Sequence, residues 1–264
     1  MYRSLHHRAS TVLKSTFILL TAYALLSWLA GLLNPRIARF LPNIVEVTRE
    51  IGALLVDYET WSAVGVTTMR IGFSLVITVA TGLPIGILIG SSNRVYVLLR
   101  PPWDFVRSIP PSAVFPMCVL VLGVGTRSKI ATTAITATLI YALGVADAAK
   151  VASRARRPFC ELIGMRTRDW LTRVLLPSAF VNSASSLRVV TSITVAMMIV
   201  CEMFLGEVDG FGGIIINFHY AFRYGKLVGA IVIAGLMGLC FNRFLDAFVP
   251  STSDGERTST LSEG

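Results

Sequence analysis

The stretch Pro158–Pro177, PFCELIGMRTRDWLTRVLLP, is basic and amphipathic, and it lies between two long apolar runs. A helix through this stretch places Trp170, Leu171 and Val174 on one face, with arginines and Asp169 on the remainder. A segment with this many charges does not cross a bilayer. It therefore lies at a membrane surface or docks its apolar face against a partner.

The composition places most of the chain in lipid. The 264 residues are 54% hydrophobic and 15% charged, with a mean hydropathy of +0.68, whereas soluble domains are about 45–50% apolar. Long apolar runs separated by charges are typical of helices whose backbone groups are satisfied within a bilayer. The net charge of +9 would suit nucleic acid. However, the basic residues flank apolar runs and form no aromatic-laced face, so they indicate membrane topology and exclude nucleic-acid binding.

The apolar runs predict an all-α integral membrane protein with about six transmembrane helices and both termini in the cytoplasm. The runs lie near residues 16–33, 61–90, 112–123, 128–149, 181–205 and 227–248. They predict a cytoplasmic N-terminus (1–15), one transmembrane domain (16–248) and a disordered cytoplasmic tail (249–264). A cleaved signal peptide at the first run is the minor alternative, because small residues follow its apolar core.

Several local features of the membrane runs carry structural predictions. Gly82, Gly86 and Gly90 recur every fourth residue and predict close approach of another helix. Pro84 predicts a local kink, and Arg70, near the start of the same run, is expected to extend to the membrane interface. The third run is short and is expected to be broken at Pro116.

The residues that usually build catalytic or metal sites are scattered. The four cysteines lie in or beside apolar runs without a C-x-x-C pair, and the three histidines are far apart. We therefore expect no catalytic residues, no metal site and no cofactor bound by this chain.

Within the opening stretch, Gly164 precedes Val174, Leu176 and Pro177 in the spacing G-x9-V-x-L-P. This spacing resembles the EAA loop of binding-protein-dependent ABC transporter permeases, E-A-A-x3-G-x9-I-x-L-P. The departure is at residues 158–160, where Pro-Phe-Cys stands in place of Glu-Ala-Ala. The residues that match the motif retain the outline of its docking site. The glutamate of the motif is absent, and the neighbouring Glu161 is the residue that could substitute for it.

Two further stretches resemble the nitrate, sulfonate and taurine branch of these permeases. Arg107–Lys129, RSIPPSAVFPMCVLVLGVGTRSK, is similar to R-x-I-P-x-x-A-x-x-P-L-x-x-x-W-F-G-x-G-x-x-S-K almost residue by residue. Leu41–Val47 is similar to the L-P-x-x-x-E-V segment of the same branch, and Asn43 is expected to cap a short surface helix there. The resemblance extends from Leu41 to Phe248.

The resemblance implies a type I ABC importer permease with a MetI-like fold in the inner or plasma membrane. The sequence contains no G-x-x-x-x-G-K-[ST] phosphate-binding loop, so ATP and Mg²⁺ are expected on a separate subunit. The implied partners are a cytoplasmic ATPase dimer, a periplasmic or lipid-anchored solute-binding protein, a second copy of the chain and membrane lipid. The implied cargo is a small anionic solute such as nitrate, a sulfonate or taurine.

The same resemblance assigns two sets of site residues. The expected ATPase-coupling residues are Glu161, Gly164, Trp170, Leu171, Val174, Leu176 and Pro177. The expected residues of the translocation path or gate are Pro110, Pro116, Glu202 and Met203.

Glu202 is an acid near the outer end of its apolar run, where a lipid-facing charge is costly. We expect it to face the interior or to pair with a cation such as Arg223 or Lys226, and to hold an outer gate shut. A plain interfacial acid is the alternative. Glu202 also supports the competing hypothesis of an ion-coupled secondary transporter or channel. Such transporters usually have more than one intramembrane ionisable group and an internal repeat, and the sequence shows neither.

Overall fold

The apolar runs are helices in the computed structural model, which describes residues 21–25, 27, 29, 41–205 and 209–248. No strand occurs in these ranges, so the predicted all-α class is confirmed. Residues 21–25, 27 and 29 of the first predicted run are helical. The predicted N-terminal segment and the C-terminal tail lie outside the described residues.

Ten α-helices and one π-helical segment make up the region from residue 44 to residue 248. In order they are α1 (Ile44–Val56), α2 (Tyr58–Gly90), α3 (Asn93–Arg107), α4 (Pro111–Leu122), α5 (Thr126–Leu162), α6 (Thr167–Asp169), the π segment (Trp170–Leu175), α7 (Leu176–Asn182), α8 (Ala184–Leu205), α9 (Phe211–Tyr220) and α10 (Tyr224–Phe248).

Four of these helices, α2, α5, α8 and α10, are long and apolar enough to cross a membrane. The pair α3 and α4 is bent by 84° and would add a fifth span if it were counted as one. Alone, α4 has 12 residues and a length of about 18 Å, less than the roughly 30 Å of a hydrocarbon core. The chain is therefore a multi-pass membrane protein.

The break in the third predicted run lies before α4 and not at Pro116. Pro116 is inside α4, and Pro84 is likewise inside the continuous α2. Pro110 has an extended ψ of 127° and Pro111 is the first residue of α4, as expected where one proline follows another and where a missing N–H costs nothing. The expected break at Pro116 is therefore wrong, and the turn is made at Pro110.

The described chain divides into two compact units. The smaller unit contains the described residues up to Ser62 together with Ile214–Ala234. In it, α1 begins at the predicted position, but the Asn43 side chain makes no capping hydrogen bond. A Cβ added at Gly229 of α10 would lie 3.2 Å from Ile51, so α10 packs closely on α1.

The larger unit contains Ala63–Gly213 and the described residues from Gly235 onward. Its core is built on α5, whose Ala137, Tyr141, Val145 and Ala149 are completely buried. These residues pack with buried side chains of α7, α8 and the π segment. The helix α3 lies against α5 through hydrogen bonds from Tyr96 to Asp147, Trp103 to the Leu139 carbonyl and Arg100 to Asp147.

The predicted glycine face of α2 is confirmed within this unit. A Cβ added at Gly82, Gly86 or Gly90 would lie 2.9, 2.5 and 2.3 Å respectively from atoms of α5. The nearest atoms include the backbone carbonyl oxygens of Ala142 and Ala146, which cannot move without the helix. The two helices therefore meet at backbone distance, as small-residue faces allow.

Candidate functional site

The segment that resembles the EAA loop begins where α5 ends. The N–H of Gly164 donates to the Glu161 carbonyl at 3.0 Å and the N–H of Met165 donates to the Cys160 carbonyl at 3.0 Å, which is a Schellman cap. Gly164 has a φ of +68°, and an added Cβ would meet nothing within 4 Å. The structure therefore requires glycine here for its backbone handedness and leaves the space beside it open.

The apolar face after Gly164 points into the chain's own core. Trp170 is 5% exposed and Leu175 is completely buried, while Leu171 and Val174 are partly buried against the same cluster. This differs from the expectation that Trp170, Leu171 and Val174 form an outward docking face. Helical periodicity correctly groups these residues, but it does not specify which neighbour the face meets.

The backbone of this segment widens just before Pro177. The N–H of Leu176 donates to the Leu171 carbonyl, five residues back, at the end of the π segment. Pro177 supplies no N–H, so an ordinary helical ladder would lose a bond at this point. The π segment seats Trp170 and Leu175 in the core, while Leu176 and Pro177 stay exposed.

The exposed apolar surface of the segment is at the end of α5 instead. Phe159, Leu162 and Ile163 are 69%, 83% and 73% exposed, and we call these three residues the α5 patch. Glu161 beside them is ion-paired with Arg157 at 2.8 Å. Exposed arginines precede and follow the patch in the sequence: Arg154, Arg156, Arg157, Arg166, Arg168 and Arg173.

A second site, inside the larger unit, is a buried network of charges. Arg70 of α2 is 1% exposed and pairs with Glu202 of α8 at 2.7 Å and with Asp209 at 2.5 Å. It also donates to the Thr126 hydroxyl at 2.7 Å. The expectation that Arg70 extends to the interface is therefore wrong, because two carboxylates hold it inside the unit.

Glu202 is fully enclosed in this network. Besides Arg70, it accepts hydrogen bonds from the Thr67 hydroxyl at 2.8 Å and from the Gly212 N–H at 3.0 Å. The Thr67 hydroxyl in turn accepts from the Phe211 N–H at 2.9 Å. Glu202 thus fixes the start of α9, and its cation is Arg70 in place of the expected Arg223 or Lys226.

The glycines beside Glu202 are required by space. A Cβ added at Gly210 would lie 2.4 Å from the Glu202 carboxylate, and one at Gly212 would lie 2.4 Å from the Ile199 carbonyl oxygen. The glycine-rich segment therefore packs directly on the acid.

Asp209 closes the network from the solvent side. Its side chain is 52% exposed, and its carboxylate lies 3.4 Å from the ammonium of the completely buried Lys129. Partial burial alone would raise the pKa of Asp209, but the hydrogen bonds and charge of Arg70, assisted by Lys129, hold it below its ordinary value. The opposite charges of Arg70 and Glu202 lie 2.7 Å apart, which reduces the cost of burying them.

The sequence prediction identified one member of this network. Of the expected gate residues, Glu202 is central to it and Met203 is only partly buried next to it, whereas Pro110 precedes α4 and Pro116 lies inside α4. Arg70, Lys129 and Asp209 were missed. The signal for the first two was available, because an arginine and a lysine within apolar runs are expensive unless they have a buried partner.

The long apolar helices α2, α5, α8 and α10 and the 84° bend between α3 and α4 define a multi-pass helical membrane protein. The model of the binding-protein-dependent transport system inner membrane component family matches residues 82–254, more than half of the chain. The chain belongs to that family, and the predicted resemblance to ABC transporter permeases is confirmed.

Curated relatives extend this similarity beyond the family segment. The chain is 28% identical over 185 residues to the nitrate import permease protein NrtB of Synechocystis sp., covering 70% of this chain and 66% of the relative. It is 24% identical over 237 residues to the putative aliphatic sulfonates transport permease protein SsuC of Bacillus subtilis, covering 84% of each. It is 25% identical over 189 residues to the taurine transport system permease protein TauC of Escherichia coli, covering 70% and 68%.

Proposed function

We propose that this chain is the membrane subunit of an ATP-driven importer for a small anion of the nitrate, sulfonate or taurine type. The family and the names of the relatives support this assignment. The partners are a cytoplasmic ATPase dimer that binds ATP and Mg²⁺, an external solute-binding protein that delivers the anion, and a second copy of the chain. The chain itself contributes no chemical step to ATP hydrolysis.

The observation that carries the proposal is the contrast between the two ends of the Gly164 segment. The α5 patch is exposed and is flanked in the sequence by exposed arginines, whereas Trp170 and Leu175, a few residues later, are buried in the core on α5. A partner that binds the α5 patch therefore moves a segment whose next residues are packed into the core of the larger unit. This arrangement suits the transmission of force, since packed cores move as units.

The roles of the expected coupling residues follow from this arrangement. Glu161 and Gly164 belong to the docking surface, with Leu176 and Pro177 at its exposed far end. Trp170, Leu171 and Val174 transmit the motion through the core and do not contact the ATPase.

The buried network serves as the closed outer gate in this proposal. Glu202 and Arg70 hold α8 and α2 together, and the Gly212 N–H ties the start of α9 to the same pair. The competing ion-coupled mechanism needs Glu202 to gain and lose a proton. The structure instead places this carboxylate in an ion pair and two further hydrogen bonds that join α2, α8 and the start of α9, which suits a structural role.

Uptake in proteoliposomes tests the proposal. The chain is co-expressed with the candidate ATPase, purified and reconstituted, and uptake of labelled nitrate or taurine is measured with the binding protein outside. We expect uptake that requires internal ATP and persists when the proton gradient is collapsed. Uptake that ignores ATP and stops with the gradient would support the secondary-transporter alternative.

A further inference from the structure

The helix α3 runs antiparallel to α5, along the part of α5 that crosses the membrane. The Tyr96 hydroxyl donates to the Asp147 carboxylate. Further along α3, the Trp103 indole N–H donates to the Leu139 carbonyl at 2.8 Å, so the contacts go back along α5. Leu139 lies about 12 Å along α5 from Asp147 and about 15 Å from Lys129, the two charged residues that bound the uncharged run of this span. Trp103 is therefore near the middle of a hydrocarbon core of about 30 Å.

Charged side chains occupy one face of α3 at this depth. Arg100, Asp104 and Arg107 lie within about 60° of one another around the helix axis. The Asp104 carboxylate pairs with Arg107 at 2.8 Å and with Arg100 at 3.7 Å, and the three side chains are 38% to 44% exposed. Because Asp104 and Arg107 follow Trp103 on the same helix, their ion pair lies within the thickness of the membrane.

The opposite face of α3 is apolar and is also exposed. Leu98 and Phe105 are 74% and 73% exposed, and they lie about 130–150° around the helix from the charged face. Hydrocarbon accepts such side chains, whereas charged groups within a span face the interior of the bundle or a water-filled cavity. We therefore expect the apolar face to meet lipid and the charged face, which the chain leaves exposed, to meet water.

The connection between α3 and α4 supports the same assignment. Residues 108–110 are exposed and not helical, and they directly follow Arg107. Non-helical backbone at membrane depth is tolerated only where it is buried in protein or lines a water-filled cavity. The chain does not bury these residues, so a water-filled cavity beside the charged face satisfies both.

We propose that Arg100, Asp104 and Arg107 line the half of the anion's path that is nearer the α5 patch, and that the anion passes the Arg107 guanidinium near the middle of the membrane. The proposal rests on the proposed function for the charge of the cargo, and it adds residues that line the cargo's route. Arginine favours anions in pores, and its planar fork matches two oxygens of nitrate or of a sulfonate. Asp104 weakens this attraction, as passage requires an anion to leave again.

Labelling of introduced thiols tests whether the charged face meets water. The chain carries Cys160→Ser and Cys240→Ser, which remove the two native thiols that are not buried. A membrane-impermeant sulfonated maleimide is applied to inside-out vesicles. Arg107→Cys and Asp104→Cys should be labelled, whereas Phe105→Cys, at the same depth on the apolar face, should not be. Absence of labelling at Arg107→Cys, or equal labelling at Phe105→Cys, would overturn the proposal.

The depth of α3 distinguishes a path through the membrane from a helix on its surface. A nitroxide attached at Phe105→Cys collides with oxygen in lipid and with a nickel chelate in water, and the ratio of the two collision rates gives its depth. The account predicts a depth of more than about 10 Å below the headgroups, because a surface helix is buried only about 5–10 Å. A depth in the surface range would overturn the proposal.

Nitrate uptake by two charge variants separates a path lining from a purely structural ion pair. Arg107→Gln should slow ATP-dependent uptake by about two- to fivefold, the effect of one exposed charge contact, and Arg107→Lys should restore most of it. Asp104→Asn should speed uptake, because it removes a charge that repels the anion. A structural pair predicts losses in both Arg107→Gln and Asp104→Asn, and that result would overturn the proposal. ATP-dependent uptake by an unaltered chain whose variants fail these tests would leave the proposed function intact.

Discussion

The Arg70–Glu202 pair allows a quantitative prediction from charge balance. Glu202→Gln removes the carboxylate that pairs with Arg70 at 2.7 Å, and the NH2 of the new amide faces either the Arg70 guanidinium or the Gly212 N–H, both of which now donate to Glu202. Removing one member of a buried ion pair costs about 3–5 kcal/mol. Arg70→Gln leaves the buried Glu202 carboxylate without its guanidinium partner and should cost a similar amount.

The double variant separates pairing from general damage. With both substitutions, the guanidinium and the carboxylate of this pair are removed together, so neither is left buried without the other. The loss of stability should therefore fall short of the sum of the single losses by at least about 1.5 kcal/mol, within the range of coupling for contacting residues. Unfolding of the purified chain by denaturant in mixed micelles measures the four free energies.

The outcome that refutes this reasoning is additivity. If the double variant loses the sum of the two single losses within about 0.5 kcal/mol, the 2.7 Å contact between Arg70 and Glu202 does not couple the residues. In proteoliposomes, the Glu202→Gln variant should also hydrolyse ATP in a way that no longer depends on delivery by the binding protein. Transport and hydrolysis equal to those of the unaltered chain would remove the gating role.

Three further predictions concern single residues. Gly164→Asn should keep the α5 cap, since asparagine tolerates a φ of +68°. Loss of uptake in this variant, as is expected for Gly164→Leu, would therefore indicate that the ATPase excludes a bulky side chain at this position. Normal uptake by Gly164→Leu would contradict the coupling role. Gly86→Ala should destabilise the chain by about 1–3 kcal/mol, because its Cβ would lie 2.5 Å from the Ala142 carbonyl, whereas Gly72→Ala in the same helix meets nothing within 4 Å and should be neutral or slightly stabilising. The pKa of Asp209 is lowered from 3.8, so the stability that its carboxylate contributes should be present above that pH and be lost as the pH falls through the folded-state pKa. When unfolding is measured as a function of acid pH, Asp209→Asn should lose less stability than the unaltered chain. Identical curves for the two would contradict the direction of the pKa shift.

Local patterns in the sequence predicted the helices and their close contacts well. The four-residue spacing of Gly82, Gly86 and Gly90 predicted the close approach of another helix, which the structure shows to be α5, and the position of α1 after Pro42 was also correct. Both depend on residues near one another in the chain. The partner of Glu202 could not be derived in this way, because Arg70 is 132 residues away and one sequence contains no information on such pairing.

The orientation of amphipathic faces was the other limit. Trp170, Leu171 and Val174 form the face that periodicity predicted, but they meet the chain's own core. The exposed α5 patch has the same helical spacing, since Phe159, Leu162 and Ile163 lie at positions i, i+3 and i+4. Spacing alone therefore could not tell which of the two apolar faces is exposed. Burial in the folded unit decides this, and burial depends on elements distant in sequence.

Co-purification of the ATPase with α5-patch variants tests the central claim most directly. Leu162→Ser and Ile163→Ser remove apolar groups from the patch, and Val151→Ser is the matched control, since Val151 is 67% exposed on the same helix. Retention of the ATPase on the tagged, membrane-extracted chain should fall at least tenfold for the patch variants, an effect of about 1.4 kcal/mol, and should be unchanged for Val151→Ser. Full retention by both patch variants, with protein levels equal to those of the unaltered chain, would contradict the assignment of this surface to the ATPase.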